Sequence, residues 1–185
     1  MAIDLQNPKL QSILTHPQET DTGWKDDLKR FQEKDITLDR KTAGENSIKA
    51  FQRLLIFLGY STSSTGAFSI DGDFGWGTNR AVAQFQFEHD LNPAITRKML
   101  CYDCNSRTAR KNIRNIPTVK LDLPTLEKII EVAEENIAAG KVNCGTLNDA
   151  LFQLNALHKR RLLSCREIHQ KFGELAKQAT QQIKL

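Results

Sequence analysis

Two stretches decide how this chain folds: Ser47-Ile-Lys-Ala-Phe-Gln-Arg-Leu-Leu-Ile-Phe-Leu-Gly-Tyr60 and Ile70-Asp-Gly-Asp-Phe-Gly-Trp-Gly-Thr-Asn-Arg-Ala-Val-Ala-Gln-Phe-Gln86. In the first, Ile48, Phe51, Leu54, Leu55 and Leu58 recur at helical spacing and form one apolar stripe. Asn46 is placed to N-cap that helix, and Gly59 supplies the residue just past its end, where a left-handed backbone is common. The second stretch opens on a glycine-punctuated loop, residues 66–77, that must make several tight turns. Thr78 is expected to cap a second helix, with Ala81, Val82, Phe85 and His89 on one side.

Working outward, Trp24, Leu28 and Phe31 are spaced i, i+4, i+7 and predict a short amphipathic helix within an N-terminal arm, residues 1–45. Downstream, Asp122 and Pro124 fit the N-cap and first turn of a third helix, carried by Leu126, Ile129, Ile130, Ala133 and Ile137 as far as Gly140. A fourth helix is expected from about Thr146 through Leu154. A capping box at Ser164 and Glu167 opens a fifth, with Ile168, Phe172, Leu175, Ala179 and Ile183 along it. No convincing strand pattern occurs.

The two central stretches resemble the three-helix peptidoglycan-binding domain found beside cell-wall hydrolases. In that family a helix ending Leu-Gly-Tyr leads to an Asp-Gly-x-Phe-Gly-x-x-Thr loop and then to a helix bearing Ala-Val and Phe-Gln. Here those elements are Leu58-Gly59-Tyr60, Asp71-Gly72-Asp73-Phe74-Gly75, Thr78, Ala81-Val82 and Phe85-Gln86. The family's third helix, Val-Asp-x-x-Thr-x-x-x-Leu, is matched loosely by Leu121-Asp122-Leu123-Pro124-Thr125 and Ile129, after an insertion at residues 93–118. The resemblance therefore implies an all-α protein: a three-helix module over residues 46–139 with an insertion between its second and third helices, the N-terminal arm, and a helical extension over residues 140–185.

It also implies non-covalent binding of peptidoglycan, which targets a linked or associated hydrolase to its polymer. The usual settings of relatives without a signal peptide are phage lysis proteins and secreted antibacterial toxins. The residues placed to contact ligand are Tyr60, Asp71, Asp73, Phe74, Trp76, Thr78, Asn79 and Arg80. Glycines at 72, 75 and 77 let the loop fold tightly, and the first amides of the second helix, beside Thr78, favour an anion such as a stem-peptide carboxylate. Sugar rings can pack on Tyr60 and Trp76. Competing structural roles are equally concrete: Phe51, Phe74 and Phe85 read as core, Asp71 as a turn residue, and Tyr60 and Trp76 as lids over the core.

Composition narrows the field. The 185 residues are 39% apolar and 26% charged, outside the charge-rich range of disordered chains, and the 15 Gly and Pro fall below the average share of about 12%, which favours helices over a turn-dense sandwich. The longest apolar run, residues 54–60, is far short of the roughly 20 needed to span a bilayer. The start, Met-Ala-Ile-Asp-Leu-Gln-Asn-Pro, has neither a basic nor an apolar signal region, so no ordinary secretion signal is read, and action is expected at the cell wall or periplasm. Net charge is +4. Residues 93–120 hold seven basic residues against Asp103 alone, a surplus suited to the anionic wall and also to nucleic acid, the partner of a rival adaptor reading.

Chemistry beyond binding is hard to assemble. Asp71, Gly72 and Asp73 suggest a calcium loop, but Val82 stands where a bidentate Glu is required. No Lys precedes Thr78, which excludes a nucleotide loop. Cys101-x-x-Cys104 is half of a zinc pattern that Cys144, or Cys165 with His169, would have to complete; free thiols and a Cys144–Cys165 disulfide are the alternatives, and no cofactor is expected. Glycoside hydrolysis needs two carboxylates flanking a cleft, whereas Glu127, Glu131, Glu134 and Glu135 read as the solvated face of a helix. His16, His89, His158 and His169 lack a metal-site spacing. A small hydrolase in its own right stays as a second rival reading, without catalytic residues to carry it.

Overall fold

A computed structural model of the chain describes residues 7, 8, 11, 23–33, 37–41, 45–64, 70–100 and 112–139. Over these it is helical: α1 (Gly23–Gln32), α2 (Glu45–Phe57), α3 (Trp76–Glu88), the short α4 (Arg97–Leu100), a 3₁₀ turn (Ile113–Asn115) and α5 (Leu123–Ala138). Among the described residues there is no strand, only one antiparallel bridge between Leu38 and Leu121. None of the described helices is long and apolar enough to cross a membrane. The expected fourth and fifth helices, all four cysteines, His158 and His169 lie outside the described residues.

α2 is the central post. Its stripe of Ile48, Phe51, Leu54 and Leu55 is buried, and so are Ala50, Ile56 and Phe57 on its flanks, because α1, α3 and α5 each pack against it. α1 supplies Leu28 and Phe31, and Phe31 meets Phe51 edge-on with ring centroids 5.2 Å apart. The arm therefore contributes to the core. It is also clamped beyond α1, where Leu38 and Leu121 exchange both backbone hydrogen bonds (3.1 and 2.8 Å).

Both long helices of the central pair end in the same motif. At the end of α2, Gly59 takes φ +94°, its N–H donates to Ile56 O and the N–H of Tyr60 reaches back to Leu55 O. At the end of α3 the left-handed position is held by Asp90, φ 55°, with Asp90 N donating to Phe87 O and Leu91 N to Gln86 O. Asp122 caps α5 as expected: its Oδ1 accepts from the N–H (3.1 Å) and the hydroxyl (2.6 Å) of Thr125.

The start of α3 differs from expectation. The helix begins at Trp76 with Gly75 as N-cap and no side-chain cap, so Thr78 sits in the first turn. The cause is Gly77. A Cβ there would overlap the backbone of Thr62 and Ser63, lying 2.6 Å from Ser63 Cα, so only a bare backbone lets the first turn close against residues 62–63.

Two buried amides on α3 then bring the chain back after the insertion. Asn79 donates to Pro117 O (3.0 Å) and accepts from Val119 N (2.9 Å). Gln86 donates to Lys120 O (2.8 Å) and Thr125 Oγ1 (2.9 Å) and accepts from Asn92 Nδ2 (3.0 Å). These bonds explain how α5 reaches its place beside α2 despite the intervening residues.

Gly77→Ala is expected to lower unfolding free energy by about 2 kcal/mol or more, as overpacking against backbone does. Asp90→Gly, which removes the Cβ from a left-handed position, should raise it by about 0.5–1 kcal/mol. Urea denaturation followed by circular dichroism checks both.

Candidate functional site

Residues 70–76 form a turn that is organised from beneath by one side chain, Gln52 of α2, fully buried. Its Oε1 accepts from the amides of Asp71 and Gly72 (both 3.0 Å). Its Nε2 donates to Asp71 Oδ1 (2.8 Å), Asp73 O (3.1 Å) and Thr78 Oγ1 (3.1 Å). Thr78 in turn donates to Asp73 O (3.1 Å), and Asp71 Oδ1 also accepts from Asp73 N (3.0 Å), closing an Asx turn. Gly72 takes φ 76°, which a Cβ would oppose. Gly75, at φ −76°, is in a backbone region open to any residue, so the expectation that it is conformationally required is corrected.

The residues expected at the site separate into three groups. Phe74, Thr78 and Asn79 are buried: Phe74 joins the core, Thr78 holds the turn and Asn79 anchors the returning chain. Asp71 and Asp73 are exposed at the turn, next to a half-buried Trp76. Tyr60 lies elsewhere. Its ring packs edge-on against Phe85 at 5.7 Å and its hydroxyl meets Glu88 Oε2, nine and twelve residues beyond Trp76, or about 14–18 Å along the helix axis. Tyr60 and Trp76 thus mark opposite ends of α3 and do not form a joint aromatic platform.

Trp76 has a partner that sequence reading missed. The guanidinium of Arg40, from the arm segment clamped by the Leu38 bridge, stands 3.9 Å over its ring. A Cβ on Gly75 would be 2.9 Å from Asp73 Oδ2, so the glycine leaves room for that carboxylate beside the start of α3.

The accessible face of α3 is a stripe of Trp76, Arg80, Gln84 and Glu88, four residues apart, with Phe87 alongside. Arg80, midway, is half-buried. Its Nη2 donates to Ser63 O (2.9 Å), Ser61 Oγ (3.1 Å) and Ser61 O (3.4 Å), and burial lowers its pKa below the usual guanidinium value. No carboxylate pairs with it among the described residues. Beside it lies a cleft of about 240 Å³ lined by Gly59, Ser61, Arg80 and Gln84 of the module, and by Met99, Leu100, Asn112, Ile113 and Ile116 of the insertion. No group of three or more His, Cys, Asp or Glu side chains that could hold a metal comes together among the described residues.

Residues 44–93 match the model of a family described as a putative peptidoglycan binding domain. The matched segment holds α2, the 70–76 turn and α3. No curated protein and no solved structure matches the chain.

Gln52 was missed because a glutamine inside an apolar stripe looks like solvated helix surface. The available signal was its place between Phe51 and the run Leu54-Leu55-Ile56-Phe57, which is apolar all round the helix. Gln52→Leu, close in shape, should cost about 2–4 kcal/mol by orphaning the turn amides. Hydrogen exchange of the Asp71 and Gly72 amides should accelerate more than that of the α5 amides, a contrast that simple loss of core packing does not produce.

Proposed function

We propose that this chain binds bacterial peptidoglycan without cleaving it and thereby holds a linked or associated cell-wall hydrolase at its polymer. The observation that carries the reading is the family match over residues 44–93 combined with what solvent reaches on that segment: the exposed Asp71 and Asp73, the half-buried Trp76, and the α3 stripe running from it. The contact surface is this stripe, entered at Trp76. An aromatic ring offers its face to the apolar side of a sugar, while the turn carboxylates meet the amines of stem peptides. Arg40 on one side of Trp76 adds a cation for stem-peptide carboxylates. Phe74, Thr78 and Asn79 serve from below by fixing the surface, and Tyr60 seals its far end through Phe85 and Glu88.

Tethering raises the local concentration of an attached enzyme at an insoluble substrate, and this needs only modest affinity. The basic residues of the insertion, with Arg97, Lys98, Arg114 and Lys120 exposed, add a long-range attraction to the anionic wall.

Sedimentation with purified insoluble peptidoglycan tests the reading. The wild-type chain should pellet with the polymer, and Trp76→Ala should bind about tenfold more weakly or worse, a loss of roughly 1.4 kcal/mol, with its circular dichroism unchanged. Asp73→Asn, whose side chain is at the exposed rim, should give a smaller loss. A wild-type chain that stays in the supernatant, or a Trp76→Ala variant that pellets as fully as wild type, overturns the proposal.

A further inference from the structure

The cleft beside Arg80 is built from two sources. The cation comes from α3, and the apolar lining, Met99, Leu100, Ile113 and Ile116, comes from residues between α3 and α5. We propose that this cleft is a carboxylate subsite that receives the C-terminal end of a short peptide with small apolar side chains. That the peptide belongs to a peptidoglycan stem rests on the wall-binding reading above; that the cleft takes a carboxylate does not.

Three observations converge on this ligand class. The first is charge. Arg80 is withdrawn from water, its Nη2 bonds only to a hydroxyl and two carbonyls, and no acidic side chain of the described residues neutralises it. Carbonyls orient a guanidinium without compensating its charge, so an entering carboxylate gains a charge-assisted bond from the nitrogens that Ser61 and Ser63 do not engage. The lowered pKa of Arg80 has the same cause and points the same way.

The second is the lining. Around that single cation stand the amides of Gln84 and Asn112 and four apolar side chains. A carboxylate flanked by methyl groups matches such a mixture, whereas a phosphate, with more charge and more oxygens, would leave acceptors against Met99 and Leu100. The third is size. About 240 Å³ is below the roughly 300–1,000 Å³ of clefts that bury a drug-sized ligand, so the cleft holds the end of a chain and not a disaccharide. Trp76 and Arg80 are one helix turn apart, about 6 Å, so a ligand on the stripe reaches both.

Titration of the full chain with diacetyl-L-lysyl-D-alanyl-D-alanine, followed by NMR of the Arg80 side-chain N–H, tests this against the same peptide as its C-terminal amide and against inorganic phosphate. The acid should bind and shift the Arg80 signal, and the amide should bind at least about tenfold more weakly. Met99→Glu places an acid in the cleft without touching the bonds of Arg80 to Ser61 and Ser63, and should weaken the peptide about tenfold or more with circular dichroism unchanged. Lys128→Ala, on α5 and outside the cleft lining, should leave the peptide titration as in wild type. Equal binding of acid and amide, no binding of either, an unaffected Met99→Glu variant, or phosphate binding more tightly than the peptide each overturns the subsite. If wild type pellets with peptidoglycan but ignores the peptide, the subsite fails and wall binding stands. If the peptide binds and the polymer does not, the reverse holds.

Discussion

A buried amide that must be hydrogen-bonded at both ends is the constraint on which this molecule depends. Gln52 sits at the heart of an apolar helix, where an unsatisfied amide would cost several kcal/mol, and it meets that demand only if the 70–73 turn and Thr78 come to it. One side chain thus fixes the turn, the entry angle of α3 and, through both, the place of Trp76. Apolar contacts alone would hold α2 and α3 together without dictating the turn between them. The amide adds directionality, and the contact surface inherits it.

α3 repeats the device on its other buried side. Asn79 and Gln86 each bond to backbone of residues 117–120, and these bonds specify where the chain must re-enter after the insertion, whatever it does in between. Of the residues between α3 and α5, Met99, Leu100, Ile113 and Ile116 line the same cleft as Arg80. The family-matched segment carries the cation, and residues beyond it line the same cleft.

Much of this was legible in the residues themselves. The α2 stripe, the glycine after its end, the cap at Asp122 and the short helix bearing Leu28 and Phe31 follow from local rules of periodicity and capping, which operate within a few residues. Thr78 shows where such rules stop. Its hydroxyl suits an N-cap, but Gly77 allowed the helix to start three residues earlier against the backbone of residues 62–63, and Gln52 claimed the hydroxyl. Tyr60 and Trp76 looked like partners because both flank the same connector. The connector instead runs back along α3 and places them at opposite ends of it.

The amino-acid order by itself determined the helices over residues 23–32, 45–57, 76–88 and 123–138, the class of fold and the resemblance on which the functional reading rests, because these depend on spacing and on residue types that act on near neighbours. Only the tertiary structure decided which polar side chains face inward, that Arg40 covers Trp76, and that Arg80 stands without an acidic partner among the described residues at the mouth of a cleft lined by a distant segment. The reason is physical. Whether a polar group is a ligand contact or a structural tie depends on what surrounds it in three dimensions, and burial of Asn79 beside exposure of Asp73 cannot be read from two residues of nearly equal polarity.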